Sequence, residues 1–346
     1  QKGDIIFTGK YIEQHLSELL AADGLTRTAT AQEILNSRTT EVKAMTNLYG
    51  GGLRVEDGAI YKGYGITAMG NSAACVRVKD AVLEHGGYDI MLNPGTKLEV
   101  EGARAITADE LVMKEGSSLS FVLGEKNKST HALTLTGTLV LNGAVSLVLD
   151  DELQSGLYRL MKYTELTGDV AQLEAGLPEH YELAWKNNEA ALIVWQHLTL
   201  PREESEWNEF YTYTKANAES DVVYNSVRLN GGIHEVSGSG SMGVGGLLSV
   251  TEGADVTLAV NAFAMAVEVG DDSSLSIRKG LNLVSLTMQA DEGTEETKAI
   301  SVGRNAELCL TEATLLGQVA TADETSAVYY QTEAGDKLLK FTGEMG

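Results

Sequence analysis

Proline is almost missing from this chain, with three residues in 346 against 37 glycines. Strands that donate backbone hydrogens to neighbours on both sides tolerate little proline, and tight turns favour glycine, so the imbalance points to sheet broken by many turns. Cysteine is just as scarce. Cys75 and Cys309 each sit in a strand-like apolar run and read as small buried hydrophobes rather than as a disulfide pair. No CxxC or Cys/His cluster suggests a zinc site. Aromatic residues make up only 6 %, which leaves Leu, Val, Ile and Ala to fill a core. Basic residues are outnumbered 26 to 49, for a formal charge of −23. Such a surface repels phosphate backbones and anionic headgroups, which argues against nucleic-acid partners and membrane-surface binding. It serves solubility, with loose divalent-cation binding at acidic turns as the sharper alternative. No apolar run approaches the about 18 residues of a membrane-spanning helix. No signal peptide opens the chain either: Gln1-Lys2-Gly3-Asp4 runs straight into Ile5-Ile6-Phe7, as expected of a mature or trimmed piece.

What the chain has in quantity is one short pattern, an acidic or Gly/Ser/Asn-bearing turn followed by an alternating apolar/polar strand. It occurs at Pro94–Val100, Glu115–Phe121, Glu252–Val260, Asp271–Ile277 and Gly303–Leu310. Leu98 to Leu119 is 21 positions and Val256 to Leu275 is 19, lengths that suit one turn of a stacked β-coil. Leu53-Arg54-Val55, Ala59-Ile60-Tyr61, Val76-Arg77-Val78, Leu133-Thr134-Leu135 and Val145-Ser146-Leu147 alternate in the same way. The expectation is roughly twelve to sixteen coils stacked on one continuous core, each packing on its neighbours.

The chain divides into four stretches. Residues 1–50 combine a strand at Asp4 to Thr8 with a helical excursion or cap. Ile12, Leu16, Leu19 and Leu20 share one helix face, and Thr30 with Glu33 forms a capping box ahead of a helix from about Ala31 to Met45. Residues 51–196 are a β-coil segment, 197–220 a polar and aromatic junction, and 221–346 a second β-coil segment. The hydrophilic loop Ala290–Thr297 explains why Leu275 to Leu308 is 33 positions instead of about twenty.

Catalytic signatures do not emerge. Gly238-Ser239-Gly240-Ser241-Met242-Gly243 matches GxGxxG, but strands flank it where a dinucleotide site requires a strand and a helix, so it reads as a turning loop. The histidines His15, His85, His131, His180, His197 and His234 show no metal-ligand spacing, and no GxSxG elbow is present. Asp150-Asp151 and Asp271-Asp272 are the adjacent aspartate pairs, and both read as solvated turn carboxylates. Trp185, Trp195 and Trp207 with Phe210, Tyr211 and Tyr213 form an aromatic concentration, read as packing at the junction or else as a sugar-stacking platform. No catalytic, cofactor-binding or metal-ligating residue is assigned.

One stretch carries a family resemblance. Leu133–Leu141 is followed by Gly156-Leu157-Tyr158-Arg159-Leu160, then Leu166-Thr167-Gly168, Leu177-Pro178-Glu179-His180-Tyr181-Glu182-Leu183 and a closing strand from Asn187 to Val194. This order resembles segments of autotransporter passenger proteins and autotransporter-associated β-strand repeat proteins, large bacterial surface polypeptides. Gly3–Gly9 looks like their repeat starts. The resemblance implies an all-β, right-handed parallel β-helix, exported to the cell surface or the medium, with structural or adhesive duties and no catalytic residues to carry over. No membrane-embedded C-terminal barrel is seen in this chain. The expected partners are a host or matrix glycan or protein, or further copies joined end to end. The alternative is a carbohydrate-active β-helix enzyme, a lyase or hydrolase with carboxylates gathered in one groove.

Overall fold

Alternating side chains create strands with one apolar and one polar face, and a strand with one apolar face needs a partner layer to cover it. In the computed structural model these strands stack in parallel into a β-solenoid of about 12 turns. The structure describes residues 5–8, 39–70, 73–102, 105–149, 153–168, 170, 177, 179–203, 207, 211–284, 300–316, 319–342 and 344–345. The chain forms two compact units, Gln1–Val194 and Trp195–Gly346.

In the first unit each coil contributes three strands. The first two coils are β1 (Ile5–Thr8), β2 (Thr39–Val42), β3 (Thr46–Leu48) and β4 (Gly52–Glu56), β5 (Ile60–Gly63), β6 (Ile66–Ala68). The next two are β7 (Cys75–Lys79), β8 (Val82–Glu84), β9 (Ile90–Leu92) and β10 (Lys97–Glu101), β11 (Ile106–Ala108), β12 (Leu111–Met113). The last two are β13 (Ser118–Leu123), β14 (Leu133–Leu135), β15 (Thr138–Leu141) and β16 (Ala144–Leu149), β17 (Gly156–Lys162), β18 (Glu165–Gly168). Every third strand pairs in parallel, giving three sheets that run along the coil axis.

Register puts like on like. Leu53, Val76, Leu98, Leu119 and Val145 form one inward column, and Ile66, Ile90, Leu111, Leu139 and Leu166 form another. The 21-position step from Leu98 to Leu119 is a direct pairing between adjacent coils. Outward columns hold charge, with Lys79 and Glu101 paired at 2.9 Å and Arg77 and Glu99 at 3.7 Å. Cross-strand pairs of this kind contribute roughly 0.2–1 kcal/mol each.

The unit ends in a hairpin. β19 (Tyr181–Lys186) and β20 (Glu189–Val194) are antiparallel, and β20 adds antiparallel to β17. Asn187 and Asn188 have φ of 55° and 60°, the left-handed pair required by a two-residue turn. The stretch with the family resemblance thus runs from β14 and β15 of the fifth coil through the last coil to its closing hairpin.

The second unit begins at β21 (Gln196–Leu200), inside the polar stretch after Trp195. β22 (Tyr213–Ala218), β23 (Val222–Tyr224) and β24 (Val227–Asn230) make the following coil, and all three pair with β25 (Ile233–Thr251). Then come β26 (Asp255–Val269), β27 (Ser274–Val284) with β28 (Ile300–Val302), β29 (Glu307–Leu316) with β30 (Val319–Thr321), and β31 (Ala327–Gln331). β32 (Lys337–Phe341) and β33 (Glu344–Met345) close the unit antiparallel to β31 and β30. Val256 pairs with Leu275, and Leu275 with Leu308 across the lengthened coil.

Three readings change. The GxGxxG stretch is no loop but part of β25, with a register shift between Ser237 and Ser241. A Cβ at Gly240 would lie 2.1 Å from the Ser220 carbonyl oxygen, so glycine is required there by close backbone stacking between coils. The helix expected as far as Met45 does not reach that far, because Thr39–Val42 is a strand paired with β5. The rest of that helix, the one before it, and the loop Ala290–Thr297 lie outside the described residues. Finally, the described buried residues fall into two clusters, one within residues 48–194 and the other within 198–328, where a single one was expected.

Candidate functional site

A lateral groove of about 360 Å³ opens on the first unit where three successive coils turn from the β2–β5–β8 sheet toward the β3–β6–β9 sheet. Register builds one wall. Glu41, Lys62 and Glu84 occupy equivalent outward positions on β2, β5 and β8, so acceptor, donor and acceptor alternate along it. Lys62 Nζ lies 3.0 Å from Glu84 Oε2, and Lys43 completes the charged rim.

Tyr64 and Tyr88 stand at the corner. Their rings stack with centroids 4.9 Å apart and planes 22° off parallel, yet the residues are 43 % and 41 % exposed. Backbone bonds hold this corner in step: Tyr88 N–H donates to His85 C=O at 3.0 Å, Asp109 N–H to Tyr88 C=O at 2.9 Å, and Ile66 N–H to Asp89 C=O at 3.1 Å. An aromatic pair of this geometry is worth about 0.5–1.5 kcal/mol beyond its buried area.

His85 lies under the groove. A Cβ on Gly63, which lines the floor, would come within 2.8 Å of both His85 Cε1 and Tyr61 Cε1, so only glycine leaves room for the imidazole. The ring is fully buried and meets Tyr61 edge-on at 5.8 Å. Neither ring nitrogen reaches a hydrogen-bond partner. Burial pushes its pKa below the ordinary 6.5. A neutral core histidine results.

The other sequence candidates lie apart. His131 Nε2 is 3.2 Å from Glu189 Oε2, and burial outweighs that carboxylate in lowering its pKa. His234 is buried with Nε2 2.7 Å from the Gly231 carbonyl oxygen, His180 and His197 are exposed, and His15 lies outside the described residues. Asp271 accepts two bonds from the Arg304 guanidinium and one from the Arg304 N–H, which together hold its pKa down. Asp272 sits in the same turn and accepts from Asn305 Nδ2, while Asp150-Asp151 lies outside the described residues.

Trp195 and Trp207 are buried, edge-on to Tyr213 and Tyr224 respectively, and Trp185 packs against the first unit's core. These rings are packing. Phe210 lies outside the described residues. The two cysteines form no disulfide; Cys309 is buried as expected, whereas Cys75 is half-buried on the polar face of β7 beside Arg77 rather than in the core. Among the described residues no group of three or more His, Cys, Asp or Glu converges as a cation site, and no helix is long and apolar enough to cross a membrane.

Sequence reasoning passed over the Tyr64–Tyr88 pair. The signal was present: Gly63-Tyr64-Gly65 and Gly87-Tyr88 recur one coil apart, each just after an alternating strand. No protein-family model, curated protein or solved structure matches the chain.

Proposed function

We propose that this chain is a non-catalytic β-solenoid of the bacterial cell surface or its surroundings, with a structural and adhesive role. The observation that carries this reading is the lateral groove, where tyrosine faces and a row of alternating charges are presented to solvent across three coils. Partner contact through such a site needs no bond-breaking machinery, only an ordered surface that the stacked coils hold rigid. The resemblance of Leu133–Trp195 to autotransporter passengers supports export and surface display. The chain displayed on a non-adherent bacterium should bind surfaces coated with host or matrix glycans and proteins, scored against the empty display scaffold. Turnover of a polysaccharide, abolished by a single Asp→Asn change, would instead establish the carbohydrate-active alternative.

A second reading, self-association, is favoured by β32, whose outer edge pairs with no strand among the described residues. Leu338, Leu339 and Phe341 are exposed there, and Tyr330, cross-strand to Leu339, is exposed beside them. A strand edge with apolar side chains is a template for another strand, here the β32 of a second copy.

A further inference from the structure

We infer that the Tyr64–Tyr88 groove binds a neutral glycan, one pyranose ring stacking its C–H face on a tyrosine while its hydroxyls bond to the charged wall. The inference rests on the adhesive reading above and names the ligand class. Four observations carry it.

The rings are exposed yet pre-ordered. Stacking at 4.9 Å fixes two large flat side chains without removing them from water, so little freedom is lost when a ligand lands on them. The wall alternates acceptor, donor and acceptor in register from Glu41 through Lys62 to Glu84. A sugar hydroxyl both donates and accepts, so adjacent hydroxyls can satisfy such a row, whereas a carboxylate or phosphate would face Glu41 and Glu84 as well as the lysines.

The volume of about 360 Å³ lies in the range of small-molecule sites, roughly 300–1,000 Å³. Charge selects neutrality. Lys43 and Lys62 balance Glu41 and Glu84 locally, and the chain as a whole carries −23, which repels polyanionic glycans.

The test uses the full chain and saturation-transfer NMR with neutral oligosaccharides of glucose, N-acetylglucosamine and mannose, and hyaluronan fragments as the anionic comparator. At least one neutral series should receive saturation, and hyaluronan none. Tyr64→Ala and Tyr88→Ala should each weaken binding about tenfold or more, and Tyr64→Phe should retain most of it, with far-UV circular dichroism unchanged in all three. Binding that survives both alanine changes, preference for hyaluronan, or no transfer from any neutral series at millimolar concentration would overturn the assignment.

The displayed-cell assay separates this from the broader reading. Adhesion that persists in Tyr64→Ala/Tyr88→Ala overturns the groove and leaves the adhesive role standing. A neutral glycan that binds the groove while displayed cells fail to adhere supports the site and sinks the adhesive role.

Discussion

At the scale of single residues, the informative side chains are polar ones inside an aliphatic core. His85 is the clearest. Its folded pKa lies below the ordinary 6.5, so the unfolded chain takes up the proton first as the pH falls. The unfolded state then binds more protons, and stability declines from about pH 6.5 downward until the folded pKa is reached. His131 and His234 are lowered by burial too and act in the same direction. The melting temperature should therefore fall between pH 7.5 and 5.5, above the range where depressed carboxylates such as Asp271 begin to matter. His85→Leu should reduce that slope while leaving stability at pH 7.5 equal or higher, because it removes two buried nitrogens without partners. An unchanged slope in thermal melts would show that His85 is not neutral in the fold. Phe121, fully buried in the column Val55–Val78–Val100–Phe121–Leu147, offers the apolar contrast. Phe121→Ala should cost about 3–5 kcal/mol in urea unfolding.

At the scale of elements, legibility followed length and alternation. Strands of four to six residues, such as Leu98-Glu99-Val100 in β10, were readable because burial alternates along them. Leu119-Ser120-Phe121 in β13 was readable because apolar and polar side chains alternate, even though Ser120 is itself buried. The third strands Ile66–Ala68, Ile90–Leu92 and Leu111–Met113 were not, since each offers only three residues and none was singled out by a flanking run. The closing hairpin is legible in principle from Asn187-Asn188 between two strand-like runs, but the same alternation serves parallel and antiparallel pairing alike, so only the left-handed turn distinguishes them. GxGxxG misled for a physical reason: glycine serves close backbone approach as readily as it serves loops. Gly240→Ala should destabilise by about 1–3 kcal/mol, since the Ser220 carbonyl must move aside. The edge strand β32 gives a sharper prediction. Two copies paired antiparallel about Leu339 would set Lys337 opposite Phe341 and Lys340 opposite Leu338, with no like charges facing each other. Leu339→Lys would place ammonium against ammonium at the centre and should shift the protein to monomer in sizing chromatography with light scattering. A wild-type chain that stays monomeric at high concentration would remove the self-association reading.

At the scale of the whole molecule, composition announced the architecture, since scarce proline, abundant glycine and few aromatics suit thin aliphatic coils. It could not announce that the core divides, because the strand pattern resumes after Trp195 with the same alternation. Division follows from the hairpin β19–β20. Antiparallel addition of β20 to β17 ends the parallel series of that sheet, and Val194 is the last residue of its core cluster. The second cluster, among the described residues, runs from Leu198 to Val328. A solenoid's stability is a sum over coils and their neighbour contacts, so each unit holds the terms it needs to fold. Residues 1–194 and 195–346, produced separately, should each show strand-type circular dichroism and a cooperative melt. The intact chain should then show more than one transition, as separately cooperative units do. If either piece proves unfolded alone, or calorimetry of the intact chain yields one two-state transition, the coils on the two sides of Val194 act as a single cooperative stack.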